Sequence, residues 1–361
     1  MLLLALLSAA QAEPSLLFVG NSYTFVGDLD LRSAELLRTA PEMAALEVTR
    51  LAEPGYTWTQ HLELANTAGS AWSAALVSPT TPFDWVILQE QSQIPGFPSS
   101  NSEYMSSLSS VGALDDLIEA QGASTLLLLT WGRRAGDETN PDLYPDFATM
   151  EALLEDGYRA YQAAITREDR PVDIIPAGPA FAQVYAADVA AGRDPLDPAS
   201  LFFSLYQGDG SHPSPLGTYL VALTVYGTLT GESPVGLPAP DGTAEETIDA
   251  LQEASRAAVF DGEWLPHTAS GGSDSGGADG TDGTDGGVDT DGGAGSDGSD
   301  GSDGGDGAVG GADDGLTPRE DETRVKDGCG ACSASGGRPA SSGLLFGLLG
   351  LLGALGLRRG R

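Results

Sequence analysis

The chain has 361 residues and sets 17 Lys and Arg against 52 Asp and Glu, a formal net charge of −35. That balance argues against nucleic acid as a partner and against electrostatic attachment to anionic membranes, though much of it comes from a Gly/Asp-rich tract near the C-terminus. Both cysteines, Cys329 and Cys332, lie beyond that tract, so nucleophilic chemistry before it must use a hydroxyl, a carboxylate or an amine.

Residues 1–12 (MLLLALLSAAQA) form an apolar run ending in Ala10-Gln11-Ala12, the small-x-small pattern of a signal-peptidase site. No Lys or Arg precedes it, so the signal is minimal or the true start lies elsewhere; an N-terminal strand is the competing reading. From residue 13 to 267, short apolar runs alternate with helix-patterned segments, which predicts one α/β domain with a mostly parallel, five-stranded sheet. The first strand is Leu16-Leu17-Phe18-Val19, stopped by Gly20-Asn21-Ser22. Its continuous rather than alternating apolar character is that of a strand buried on both faces. Leu29 to Thr39 reads as a helix with Leu31, Leu36 and Leu37 on one face, and Leu46 to Leu51 as the second strand, ending in Glu53-Pro54-Gly55. Trp58 to Leu76 is a predicted helix. Asp84 to Leu88 is the third strand and runs directly into Gln89-Glu90-Gln91-Ser92-Gln93. Met105 to Ala120 is helical, Thr125 to Thr130 the fourth strand, and a loop from Trp131-Gly132-Arg133-Arg134 reaches about Pro145. Phe147 to Thr166 is an amphipathic helix with Met150, Leu153, Leu154, Tyr158 and Tyr161 as core positions. Val172 to Ile175 is the fifth strand; helix signals resume at Phe181 and again after His212, where Tyr219 to Leu229 packs on the sheet.

Residues 268–327 are rich in Gly, Asp and Ser and cannot bury enough apolar surface to offset the entropy of ordering, which predicts a disordered linker. Its Asp-Gly-Thr repeats look like calcium loops only superficially, because Asp recurs mainly every third position and no bidentate Glu closes a loop. Residues 328–361 carry three signals in order: Cys329-Gly330-Ala331-Cys332, the apolar run Gly343 to Leu357, and Arg358-Arg359-Gly360-Arg361. The run is slightly short of the ~20 residues that span a bilayer comfortably, and the arginines favour the cytoplasmic side. This tail resembles the MYXO-CTERM sorting signal of myxobacterial surface proteins. The resemblance implies export, a transmembrane helix, a possible sorting protease as partner, and display at the cell surface or outer membrane with processing near Cys329.

Ser22, Gly55 and the Gln89/Gln91 pair each follow a predicted strand, and Asp209 and His212 share a loop just before a helix. In a doubly wound sheet such loops converge on one edge. A Ser hydroxyl needs a base to take its proton, and His serves near neutral pH. A carboxylate behind the imidazole fixes its tautomer and stabilises the imidazolium. A tetrahedral intermediate also needs donors for its oxyanion; the N–H groups of Ser22 and Gly55 and a side-chain amide from Gln91 offer three. Each piece alone has a plainer reading: a strand-to-loop turn with a capping Ser, a chance Asp-x-x-His, loop glutamines. His61, inside a helix pattern, and His267, at the linker edge, are competing bases.

Taken together the pattern resembles the SGNH (GDSL-like) hydrolase superfamily. Gly20-Asn21-Ser22-Tyr23-Thr24 matches its first block, with Asn where Asp is usual; Gly55 matches the second; Asp209-Gly210-Ser211-His212-Pro213-Ser214 matches the last. The third block, normally Gly-x-Asn-Asp, is here Gln89-Glu90-Gln91-Ser92, which assigns the oxyanion amide to Gln91 with Gln89 as the fallback. Trp131-Gly132-Arg133-Arg134, Ala177-Gly178-Pro179-Ala180 and Gly217-Thr218-Tyr219-Leu220 further resemble an uncharacterised bacterial branch. The resemblance implies a flavodoxin-like three-layer α/β/α sandwich, a Ser22–His212–Asp209 triad and no cofactor or metal. It implies a serine esterase that removes a small acyl group, such as acetyl, from a carbohydrate or other polar ester. Trp131, Arg133 and Arg134 suggest a cleft rim suited to that substrate, and no long apolar lid segment points to a lipase. The alternative from another class is a non-catalytic surface module for carbohydrate binding or adhesion. A metal-dependent hydrolase has little to stand on, since three scattered His make no ligand cluster.

Overall fold

The computed structural model describes residues 13–262 and Trp264. The five apolar runs are strands: β1 (Ser15–Gly20), β2 (Glu47–Ala52), β3 (Trp85–Leu88), β4 (Ser124–Leu129) and β5 (Asp173–Pro176). All neighbours pair in parallel, in the order β2-β1-β3-β4-β5. This is the flavodoxin-like order. It changes direction between β1 and β3, where a crevice opens beyond the carboxyl ends of the strands.

The continuous apolar runs are explained by burial on both faces. Leu16 and Phe18 of β1 join one core while Leu17 and Val19 join the other, and β4 divides Leu126 and Leu128 from Leu127 and Leu129 in the same way. Each such side chain contributes about 1.5–3 kcal/mol when fully buried. The first core is covered by α2 (Leu29–Leu37), α6 (Ala177–Ala190), α8 (Pro215–Thr230) and α9 (Glu245–Phe260). The second is covered by α3 (Trp58–Ala65), α4 (Ser102–Ala120) and most of α5 (Phe147–Ile165). Helix α8 is apolar all round and buried along Gly217 to Leu229, as a helix enclosed by sheet and neighbouring helices must be. The three-layer α/β/α sandwich is therefore the fold.

Local expectations shift where turn chemistry intervenes. The helix from Trp58 stops at Ala65, not Leu76, because Asn66 closes it and Gly69 turns the chain at φ +82°. A separate short turn occupies Ser73–Val77. Helix α4 begins at Ser102, ahead of Met105, since the Asn101 side chain accepts from the N–H groups of Glu103 and Tyr104. Helix α6 begins at Ala177, directly after β5. Leu31 is 59% exposed, because the buried stripe of α2 runs through Leu29, Asp30, Ser33, Ala34, Leu36 and Leu37. Leu153 is only partly buried. Among the described residues no helix is long and apolar enough to cross a membrane. The leader, His267, the linker and the sorting tail lie outside the described residues.

Candidate active site

Strand β1 delivers the Gly20-Asn21-Ser22 turn to the crevice, and a polar bracket holds it there. The Asn21 N–H donates to Gln89 Oε1 at 2.9 Å, and the Thr24 hydroxyl donates to the same oxygen at 3.0 Å. The Asn21 amide donates to the carbonyl of Tyr56 at 2.9 Å, while its Oδ1 accepts from the N–H of Tyr23. A Cβ at Gly20 would meet Thr24 Oγ1 at 2.3 Å and Gln89 Oε1 at 2.6 Å, so only glycine fits. Ser22 is the first residue of α1 (Ser22–Phe25); its half-buried hydroxyl and its N–H take no hydrogen-bond partner among the described residues.

The second half of the site comes from the loop that precedes α8. Asp209 Oδ2 lies 2.6 Å from His212 Nδ1, and Oδ1 accepts from the N–H groups of Ser211 (2.9 Å) and His212 (3.0 Å). Burial alone would raise the Asp209 pKa, but the bonds from the His212 ring and these two N–H groups outweigh it and hold the carboxyl below its ordinary value. An ionised Asp209 can only accept, so Nδ1 carries the proton and Nε2 presents a lone pair. The loop is pinned from below: Gln207 N–H donates to the His212 carbonyl, and Arg134 N–H to that of Gly210, both at 2.8 Å.

Tyr23 joins the two halves. Its ring stacks on Trp131 with centroids 4.7 Å apart and meets the His212 ring edge-on at 5.6 Å. Its hydroxyl is 2.7 Å from Ser211 Oγ, and Trp131 Nε1 donates to the Ser211 carbonyl at 3.1 Å. The residue after Ser22 is thereby fastened to the loop that carries His212. Sequence reasoning passed over Tyr23, since an aromatic next to a strand reads as core; its one signal was a polar-tipped ring adjoining Ser22.

The expected oxyanion donors sort differently from one another. Gly55 is exposed at φ +70°, and its N–H has no partner among the described residues. The bond from Asn21 to Tyr56 ties that turn to the Ser22 turn. Gln91 Oε1 accepts from the N–H groups of Gln93 (2.8 Å) and Ile94 (3.3 Å), and Nε2 donates one hydrogen to Gln93 Oε1 at 3.1 Å, leaving its second free. Gln89 cannot serve as the fallback donor. It is 1% exposed, its oxygen is committed to Asn21 and Thr24, and its amide nitrogen donates to the carbonyl of Glu90.

The expected rim is also redrawn. Trp131 has no exposed surface; it is sandwiched between Tyr23 and Phe181, whose ring lies 4.8 Å away, and so forms no part of a surface rim. Arg134 lays its guanidinium over Phe203 at 3.8 Å and supports the Asp209 loop through its backbone. Arg133 lies beside Tyr23: it pairs with Asp137 at 2.5 Å, reaches Ser92 Oγ at 3.5 Å, and its charge acts on the Tyr23 hydroxyl. His61 is no rival base. It is wholly buried in α3, accepts from Trp72 Nε1 at 2.8 Å, and burial lowers its pKa to about 4. Glu90 between the two glutamines is fully buried, and burial raises its pKa to about 7 against opposing hydrogen bonds. No group of three or more His, Cys, Asp or Glu that could hold a metal occurs among the described residues.

No protein-family model matches the chain, and no curated protein matches it. Among solved structures it is similar to a DUF4886 family protein from Bacteroides uniformis, with a TM-score of 0.52 and 17% identity over 71% of this chain and 98% of that one. It is also similar, at a TM-score of 0.45 and 26% identity, to a candidate SGNH hydrolase from Slackia heliotrinireducens, over 60% of this chain and 100% of that one. A catalytic mutant of an acetylxylan esterase from Geobacillus stearothermophilus aligns with a TM-score of 0.42 and 15% identity, over 62% and 97% of the two chains. The likeness to the Bacteroides protein is one of fold.

Proposed function

We propose that the chain is a serine ester hydrolase of the SGNH type, removing a small acyl group, acetyl in the first instance, from a carbohydrate or other polar ester. One observation carries this reading: the Asp209–His212 pair at 2.6 Å sits on a loop held by Tyr23, the residue next to Ser22, through Ser211 and the His212 ring. In the mechanism, Ser22 Oγ attacks the acyl carbonyl while His212 Nε2 takes its proton. Asp209 holds the Nδ1–H and stabilises the imidazolium. The oxyanion is met by the N–H groups of Ser22 and Gly55 and by the free amide hydrogen of Gln91. His212 then protonates the departing alcohol, and water, activated by the same ring, releases the acid from Ser22. Arg133 at the cleft suits a polar acceptor over a lipid chain. The leader and tail motifs extend the proposal to an exported enzyme held at the cell surface.

The test is turnover of p-nitrophenyl acetate against butyrate, with fluorophosphonate labelling. Acetate should be the better substrate, label should fall on Ser22 alone, and Ser22→Ala and His212→Ala should each abolish activity to a similar extent because the two act as a unit. A wild-type protein that neither turns over nor labels, yet retains a carbohydrate on an affinity matrix, would make it a binding module.

A further inference from the structure

The reaction proposed above leaves one buried acid unused. Glu90 lies between β3 and Gln91, without exposed surface, and its carboxyl gathers groups from three elements. Oε1 accepts from the N–H of Gln91 at 2.6 Å and from that of Trp58 at 3.0 Å; Oε2 lies 3.2 Å from the Trp58 nitrogen and accepts from the Ser107 hydroxyl at 2.5 Å. Trp58 opens α3 three residues after Gly55, and Gln91 carries the side-chain donor. Both loops that would bind the oxyanion are thus hung on one carboxyl group, and Ser107 of α4 anchors that group from behind. The Trp58 N–H, at the first turn of a helix, has no intrahelical acceptor, and the Gln91 N–H has no other acceptor among the described residues.

We infer that Glu90 is a positioning residue which sets the spacing of the Gly55 and Gln91 oxyanion donors. Its place after β3, within the block that departs from the superfamily pattern, gives that departure a reason. A longer amide at 91 needs its backbone held at a set depth, and the side chain at 90 holds it. The inference rests on the serine-hydrolase reading. It touches no reacting atom, so its effect passes through the two donors.

The substitution Glu90→Gln keeps an oxygen for the Trp58 and Gln91 N–H groups and turns an amide N–H toward Ser107, so kcat on p-nitrophenyl acetate should stay within about threefold of wild type. Glu90→Ala removes both acceptors and should lower kcat about tenfold or more with KM within twofold, because the lost contacts matter in the transition state. Added to Gln91→Ala, it should cost less than it does alone, since only the Gly55 donor is then left to displace. Should Glu90→Ala not fold, Ser107→Ala, which frees the carboxyl without touching either donor loop, should still lower kcat about fivefold with KM unchanged, and a wild-type kcat there would overturn the inference. A folded Glu90→Ala enzyme with wild-type kcat, or one whose loss adds fully to that of Gln91→Ala, would overturn the inference and leave the hydrolase reading intact. If Ser22→Ala retains wild-type activity, the hydrolase reading falls and takes this one with it.

Discussion

Removing the hydroxyl of Tyr23 separates two interactions that otherwise act together. Tyr23→Phe keeps the stack on Trp131 and the edge contact with His212 but loses the bond to Ser211. A neutral hydrogen bond contributes about 1 kcal/mol net, so kcat on an acetyl ester should fall roughly fivefold if the loop drifts by that much. An unchanged kcat would show that stacking alone fixes the His212 loop. Gln89→Ala is a different kind of loss. It strands the Asn21 N–H and the Thr24 hydroxyl in a buried site, at a cost of about 1–3 kcal/mol of stability, readable in a urea midpoint. The Asp209–His212 pair and the turn that carries Ser22 were legible in the sequence because each lies within a short run of residues next to a strand or helix signal. Tyr23, Glu90 and Gln89 were not, because their roles are contacts over long sequence separations. Trp131 was misread for the same reason: the chain shows that an aromatic follows β4, but not that two rings close over it.

Among the elements, α5 bears on the site from a distance. Gly157 of α5 lies against the chain at Pro95, where an added Cβ would come within 1.7 Å of the Pro95 carbonyl oxygen. Backbone, not a flexible side chain, is in the way. Gly157→Ala should therefore destabilise the domain by about 1–3 kcal/mol and displace the turn Ile94–Gly96, whose first N–H is bonded to Gln91 Oε1. Thermal unfolding checks the first effect and kcat the second; a neutral substitution would mean that α5 slides without cost. The helices themselves were mostly legible from apolar spacing. The ends moved where single residues such as Asn101 and Asn66 took over, and α9, though clearly two-faced, carries a buried stripe that is largely Ala, Ser and Gln, too little large apolar surface to mark it as a core helix.

At the scale of the whole molecule, Glu90 ties stability to pH. Its pKa rises from 4.5 to about 7 on folding, with burial as the main cause. Between those values the folded state holds a proton that the unfolded state has released, so this group's contribution is full below about pH 4.5 and is lost as pH rises to about 7. The loss is on the order of 3 kcal/mol. Glu151, fully buried beneath the Gly132 N–H that it accepts at 2.7 Å, has a pKa raised well above its ordinary value by burial, with the same sign. Urea midpoints for wild type and Glu90→Gln at pH 5 and pH 8 should diverge, the variant gaining relative stability at the higher pH. Parallel midpoints would remove Glu90 from the account. A chain ending at residue 267 should keep wild-type kcat, since every proposed site residue precedes it.

The bond from Tyr23 to Ser211 closes a loop of 188 residues. For the proposed hydrolase, a chain made from its N-terminus carries Ser22 long before Asp209 and His212, so it stays inert until the later loop exists. Hydrolysis would start only when α8 has docked and pulled the final loop into register. The onset of turnover is then a clock for the completion of folding, set by topology.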